Sequence, residues 1–281
     1  MLRVGCALWA YRPWFGTVLP AARPGRELTA YASALNAVEG NTTFYALPDP
    51  GSVARWAQQA PSSFRFVCKL PQSITHERRL RGVRAELDAF LARLEPLGER
   101  LGPVSVQLPA SFGPDDLGVL DRFLGEVPKV DRTWVVEVRH PAFFAGGTHE
   151  RRVDEMLAAR GVDRVILDSR ALFAGPCDTP AERDAFGRKP RLPVRPVALG
   201  AHPIVRLIGQ TDPEANPPFW ERWLGVVARW VAQGREPIVF LHTPDNVAAP
   251  LLARRFHASV AELVPALPPL PEPPDGQLAL L

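Results

Sequence analysis

The chain has 281 residues, 46% apolar and 22% charged, so it can bury one large core and is not a disordered segment. A net charge of +3 permits an anionic partner but argues against strong nonspecific DNA binding. Three cysteines without a CxxC pair argue against a disulfide framework or a structural zinc site. No run of eighteen uninterrupted apolar residues and no charged-then-apolar N-terminal pattern is present, so no membrane partner is predicted and the expected compartment is the cytoplasm.

Short apolar runs recur along the chain with helical patterns between them. Predicted strands cover 2–7, 36–41, 64–69, 104–107, 134–138, 164–168, 204–208 and 238–242. Predicted helices cover 27–35, 52–59, 84–97, 114–124, 150–159, 218–231 and 248–263. The connection between the sixth and seventh strands is long and rich in Pro and Arg, and no helix is predicted there. Most strands are continuously apolar rather than alternating, as expected where helices cover a parallel sheet. Eight strand–helix repeats indicate an α/β fold of the TIM-type (β/α)8 barrel class, a single domain over 1–264 followed by a Pro-rich tail over 265–281. A doubly wound open sheet is the alternative, but no G-x-G-x-x-G or P-loop follows an early strand.

Barrel chemistry sits at the C-terminal ends of the strands. Those ends carry Glu39, Asn41, Thr43 and Tyr45 after strand two, Lys69 and His76 after strand three, and Gln107 after strand four. Strand five ends in Glu137, Arg139 and His140, strand six in Asp168, strand seven carries Arg206, and strand eight ends in His242. The strand beginnings offer little comparable polarity.

Several segments are similar to one known family. They are NAVEGNTTFYALP (36–48), FRFVCKLPQSITHERRL (64–80), GPVSVQLPASF (102–112), VVEVRHPAFF (135–144), DSRALFAGP (168–176), RKPRLPVRPVALG (188–200) and FLHTPDN (240–246). Together they resemble the YecE-like family, domain of unknown function 72. The resemblance implies a TIM-type barrel with the strand-end residues as a polar mouth, and leaves the activity unassigned. Many relatives open with Gly-Thr-Ser-Gly-Trp after the first strand, where this chain has Gly5-Cys6-Ala7-Leu8-Trp9.

Glu39, Glu137 and Asp168 come from three different strands. They are candidate general acids or bases tuned by Lys69 or Arg139, or else buried ion pairs that close the barrel top. His76, His140 and His242 are candidate acid–base or hydrogen-bonding groups. With Glu137 or Asp168 they could also ligate a divalent metal, a less favoured reading because no H-x-H or H-E-x-x-H spacing is present, and no cofactor is assigned. Asn41, Thr43, Tyr45, Lys69, Gln107, Arg139 and Arg206 are candidate substrate-binding residues. Only Lys69, Lys129 and Lys189 are lysines among 33 basic residues. Lys69, Arg139 and Arg206, with Lys189 and the arginines of 188–195, form a cationic rim suited to a phosphate or carboxylate, although the 188–195 loop also reads as a solvated one. The reading favoured here is an enzyme acting on a small anionic substrate by acid–base chemistry, such as a hydrolase.

Proline, at 31 residues, is about twice its usual share. Some of it follows strand ends, at Pro48, Pro71, Pro109, Pro141 and Pro244. Six more prolines between 265 and 274 predict a stiff, extended spacer rather than a packed element. Beyond it, Gln277, Leu278, Leu280 and Leu281 resemble the sliding-clamp-binding pentapeptide of bacteria, with leucine in place of the final phenylalanine. This supplies the alternative: a DNA-maintenance protein recruited to the clamp, nuclease-like or purely binding; the tail otherwise reads as one that folds back onto the barrel or frays.

Overall fold

The eight strands form in a computed structural model that describes residues 1–128 and 132–272. They are β1 (Arg3–Cys6), β2 (Ala37–Gly40), β3 (Arg65–Cys68), β4 (Val104–Gln107), β5 (Trp134–Glu137), β6 (Asp163–Asp168), β7 (Ile204–Ile208) and β8 (Ile238–His242). All ladders are parallel, in the order β3-β2-β1-β8-β7-β6-β5-β4. Between β3 and β4 the ring closes through a thin seam, where Gly102 N donates to Phe66 O and Leu70 N to Ser105 O, both at 2.9 Å. The helices required to cross between parallel strands cover the outside, and the predicted (β/α)8 barrel is the observed fold.

Local chemistry at the strand starts sets the register. Asn36 accepts from Val4 N at 2.7 Å and donates to Leu2 O, which pins β2 beside β1. At Gly5 a Cβ would stand 2.0 Å from the Ala37 carbonyl oxygen, so only glycine allows this approach. The Tyr31 hydroxyl ties the same two strands, accepting from Cys6 N at 2.8 Å and donating to Ala37 O at 2.9 Å. Buried Asp163, at the start of β6, accepts from Leu199 N, Gly200 N and His202 N at 2.7–2.9 Å and so anchors the approach to β7.

Two sequence expectations are corrected. The β6–β7 connection contains the helices Arg170–Ala174 and Pro180–Arg188. The second starts from a capping box, Thr179 accepting from Glu182 N while the Glu182 carboxylate accepts from Thr179 N, with Pro180 at the first helical position. The Pro-rich stretch after helix Ala249–Leu263 does not stand off as a spacer over its described part. Leu267 and Leu270 are buried in the main core, and Arg254 donates to Pro271 O at 3.1 Å. Residues 277–281, the clamp-like peptide, lie outside the described residues. Among the described residues no helix is long and apolar enough to cross a membrane.

Candidate functional site

Strand alternation builds the site. One inner layer of the barrel is apolar: Ala37, Val67, Val135, Val165, Ile204, Ile238 and Phe240. Two residues beyond Ala37, Val67, Val135, Val165, Ile204 and Phe240 these strands point inward again at the C-terminal mouth, and the side chains become Glu39, Lys69, Glu137, Leu167, Arg206 and His242, with Gln107 from β4. All are buried, Glu39 to 2% and Glu137 to 1% exposure.

Arg206 organises this layer. Its Nη2 donates to Glu39 Oε2 at 3.2 Å and its Nη1 to Glu137 Oε2 at 3.0 Å. Its Nε lies 2.7 Å from Glu39 Oε1 as an ion pair without hydrogen-bond alignment. Arg139 Nε donates to Glu137 Oε1 at 2.7 Å. Lys69 Nζ donates to Gln107 Oε1 at 2.8 Å and lies 3.5 Å from Glu39 Oε1. Asn41 donates to Glu39 Oε2 and to Ala7 O, both at 3.0 Å. His242 Nε2 stands 3.7 Å from Glu39 Oε2 and is buried without a hydrogen-bond partner.

The charges shift one another. Burial alone would raise both carboxyls, but Arg206 and Lys69 hold Glu39 well below the usual carboxylate range. Arg139, Arg206 and Lys69 bring Glu137 down to about 2. Burial and the neighbouring Arg206 lower Lys69 to about 8, against the pull of the two carboxylates. The same two causes lower Lys189 to about 8. Burial and then Arg206 push His242 well below its ordinary value, so it is neutral at pH 7.

Above this layer opens a cavity of about 330 Å³, lined by Asn41, Tyr45, Lys69, Gln107, Arg139, Lys189, Arg206 and His242 among others. Arg188 also lines it, paired to Asp184 at 2.8 Å. Four cations, Lys69, Arg139, Lys189 and Arg206, thus face two carboxylates.

The other residues singled out in the sequence take different places. Tyr45 is 72% exposed on the rim, edge-on to Phe44. Thr43 is buried and donates to Gly40 O and Lys69 O, tying the β2 loop to the end of β3. His76 is half-buried beside the cluster, its Nδ1 2.8 Å from Thr75 Oγ1 and its ring edge-on to Phe44. His140 accepts from Ala142 N and caps the turn Pro141–Phe144. Asp168 does not join Glu39 and Glu137. It lies on the outer face of β6, where Oδ2 accepts from Trp223 Nε1 at 2.8 Å and from Arg170 Nη2 at 2.7 Å. The three histidines do not converge, and among the described residues no three of His, Cys, Asp and Glu group as metal ligands.

Lys189 is the lining residue that the strand-end reading reaches least directly. It enters from the loop after helix Pro180–Arg188, and the available signal was its rarity in an arginine-rich chain.

The chain matches the family described as "Protein of unknown function DUF72" over residues 3–277. It is 39% identical over 275 residues to the UPF0759 protein YecE of Escherichia coli K12, covering 98% of both chains. A solved DUF72 family protein from Enterococcus faecalis shares the fold with TM-score 0.68 at 17% identity, over 97% of this chain and 98% of that one. Another, from Thermotoga maritima, has TM-score 0.65 at 23% identity, over 92% and 98%.

Proposed function

The chain belongs to the DUF72, YecE-like family, and from that premise we propose that it is an enzyme that binds a small phosphate- or carboxylate-bearing substrate in the barrel mouth and acts on it by acid–base chemistry. The observation that carries this reading is the surplus of cations over carboxylates around one cavity of about 330 Å³. An anion entering there completes the charge balance of groups already desolvated, with arginine offering planar forks and lysine a point charge.

The roles divide by protonation. Glu39 and Glu137 are engaged in ion pairs and held at low pKa, so they are weak bases and serve to hold Arg206, Arg139 and Lys69 in place. His242, its buried Nε2 without a hydrogen-bond partner, is kept a weak base by burial and Arg206 in the empty mouth; a bound anion beside Arg206 raises its proton affinity, so it is the group assigned to accept a proton from bound substrate and return it.

Inorganic phosphate at about a hundred times its Kd is expected to stabilise the protein by ~2.7 kcal/mol. Thermal unfolding should show this as a rise of roughly 5 °C. Replacing both Arg139 and Lys189 by alanine should remove the shift. A chain whose melting ignores phosphate, sulfate and a panel of phosphorylated and carboxylated compounds would defeat the proposal.

A further inference from the structure

We propose that Lys189 captures the carbonyl group of an anionic aldehyde or ketone as an imine, an inference that rests on the anion site above and narrows its substrate class. The two lysines in the mouth are held differently. Lys69 Nζ is committed to Gln107 and faces Glu39. Lys189 lines the same cavity, yet among the described residues no hydrogen bond and no ion pair within 4.0 Å holds its Nζ.

Its backbone, in contrast, is fixed on both sides. Lys189 N donates to Ala185 O at 2.9 Å, closing helix Pro180–Arg188. The next carbonyl, Pro190 O, accepts from Ser169 Oγ at 2.8 Å. The proline that follows keeps Lys189 extended, with φ −87° and ψ 132°. An anchored stem with an uncommitted amine suits a nucleophile better than a structural cation.

The surroundings support the chemistry. Desolvation and neighbouring cations keep a lysine amine partly neutral, which activates it toward carbonyl carbon. Here burial and Arg206 do so, lowering Lys189 to about 8. Arg139 and Arg206 remain to hold the substrate's anionic group.

In the step itself, the Nζ lone pair bonds to the carbonyl carbon and a proton passes from nitrogen to the former carbonyl oxygen, giving a carbinolamine. Water then leaves as the C=N bond forms, so amine and carbonyl yield imine and water.

The test uses the full chain with pyridoxal 5′-phosphate, an aldehyde that carries a phosphate, followed by borohydride reduction and peptide mapping. The chain has only three lysines, and peptide mapping separates them from one another and from the α-amine. Adduct should form at Lys189 roughly tenfold or more faster than at Lys129, since each unit of lowered pKa frees about ten times more neutral amine. It should be absent from Lys189→Arg, which keeps the charge but forms no imine, and slowed by excess sulfate. Adduct at Lys69 instead, or equally at all three lysines, would overturn the assignment. If sulfate raises the melting temperature but Lys189 stays unlabelled, carbonyl capture fails and the anion site stands. If sulfate neither stabilises the chain nor slows labelling, the anion-site reading fails and the inference with it.

Discussion

Replacing Arg206 by methionine should destabilise the protein by about 3–5 kcal/mol at pH 7, because it strips the shared guanidinium from two buried carboxylates. Among the described residues Arg206 alone is ion-paired with both Glu39 and Glu137. The loss should depend on pH. In the parent protein both carboxyls titrate below their unfolded values, so their ion pairs contribute fully above about pH 4.5 and fade as pH falls toward 2. In the variant Glu39 is buried without its main partner and Glu137 is left with Arg139 and Lys69, and protonation relieves both carboxyls. Urea unfolding should therefore show the gap between parent and variant narrowing from pH 7 to pH 4. An equal gap at both pH values would mean that the Glu39–Arg206–Glu137 set is not the electrostatic keystone of the mouth.

His242→Asn should lower turnover about a hundredfold or more, the usual scale for losing a positioned acid–base group, while sulfate still stabilises the variant as it does the parent. The compound to use is the one that the stabilisation screen returns. Because burial and Arg206 hold His242 neutral well below pH 6.5, kcat/KM should not decline as pH drops through that value. It should decline instead as pH rises past about 8, where Lys69 loses its proton and the anion loses a partner. A variant that turns over as fast as the parent, or an acid limb centred near 6.5, would remove His242 from the proton-transfer role.

The barrel was legible because its strands are short, apolar and regularly spaced, with polar residues gathered at one end. Glu39, Lys69, Glu137 and Arg206 were legible for the same reason, each lying two residues beyond a small or β-branched residue of the inner layer. Asp168 looked equivalent but has the opposite parity. β6 is buried along its whole length on both faces, so apolarity alone does not say which of Leu167 and Asp168 points inward. The short-range hydrogen bond of His140 to Ala142 N makes it a cap, an arrangement that the His-Pro pair permits but does not demand. The helix that delivers Lys189 had a local signature in Thr179-Pro180-Ala181-Glu182, outweighed by the prolines and arginines that follow. In the tail, proline density suggested a stalk, whereas Leu267 and Leu270 supply the apolar contacts that fold its described part back onto the core.

The anion site is tested most directly by titrating sulfate into the protein near pH 8 by calorimetry, in two buffers of different ionisation enthalpy. Sulfate does not itself titrate there, so any proton taken up belongs to the protein. With Lys69 and Lys189 half-protonated at about pH 8, binding should draw protons onto them, and the uptake should shrink when Lys189 is replaced by arginine, which stays charged. Binding without proton uptake, or no binding at all, would contradict a mouth built to receive an anion beside these two lysines.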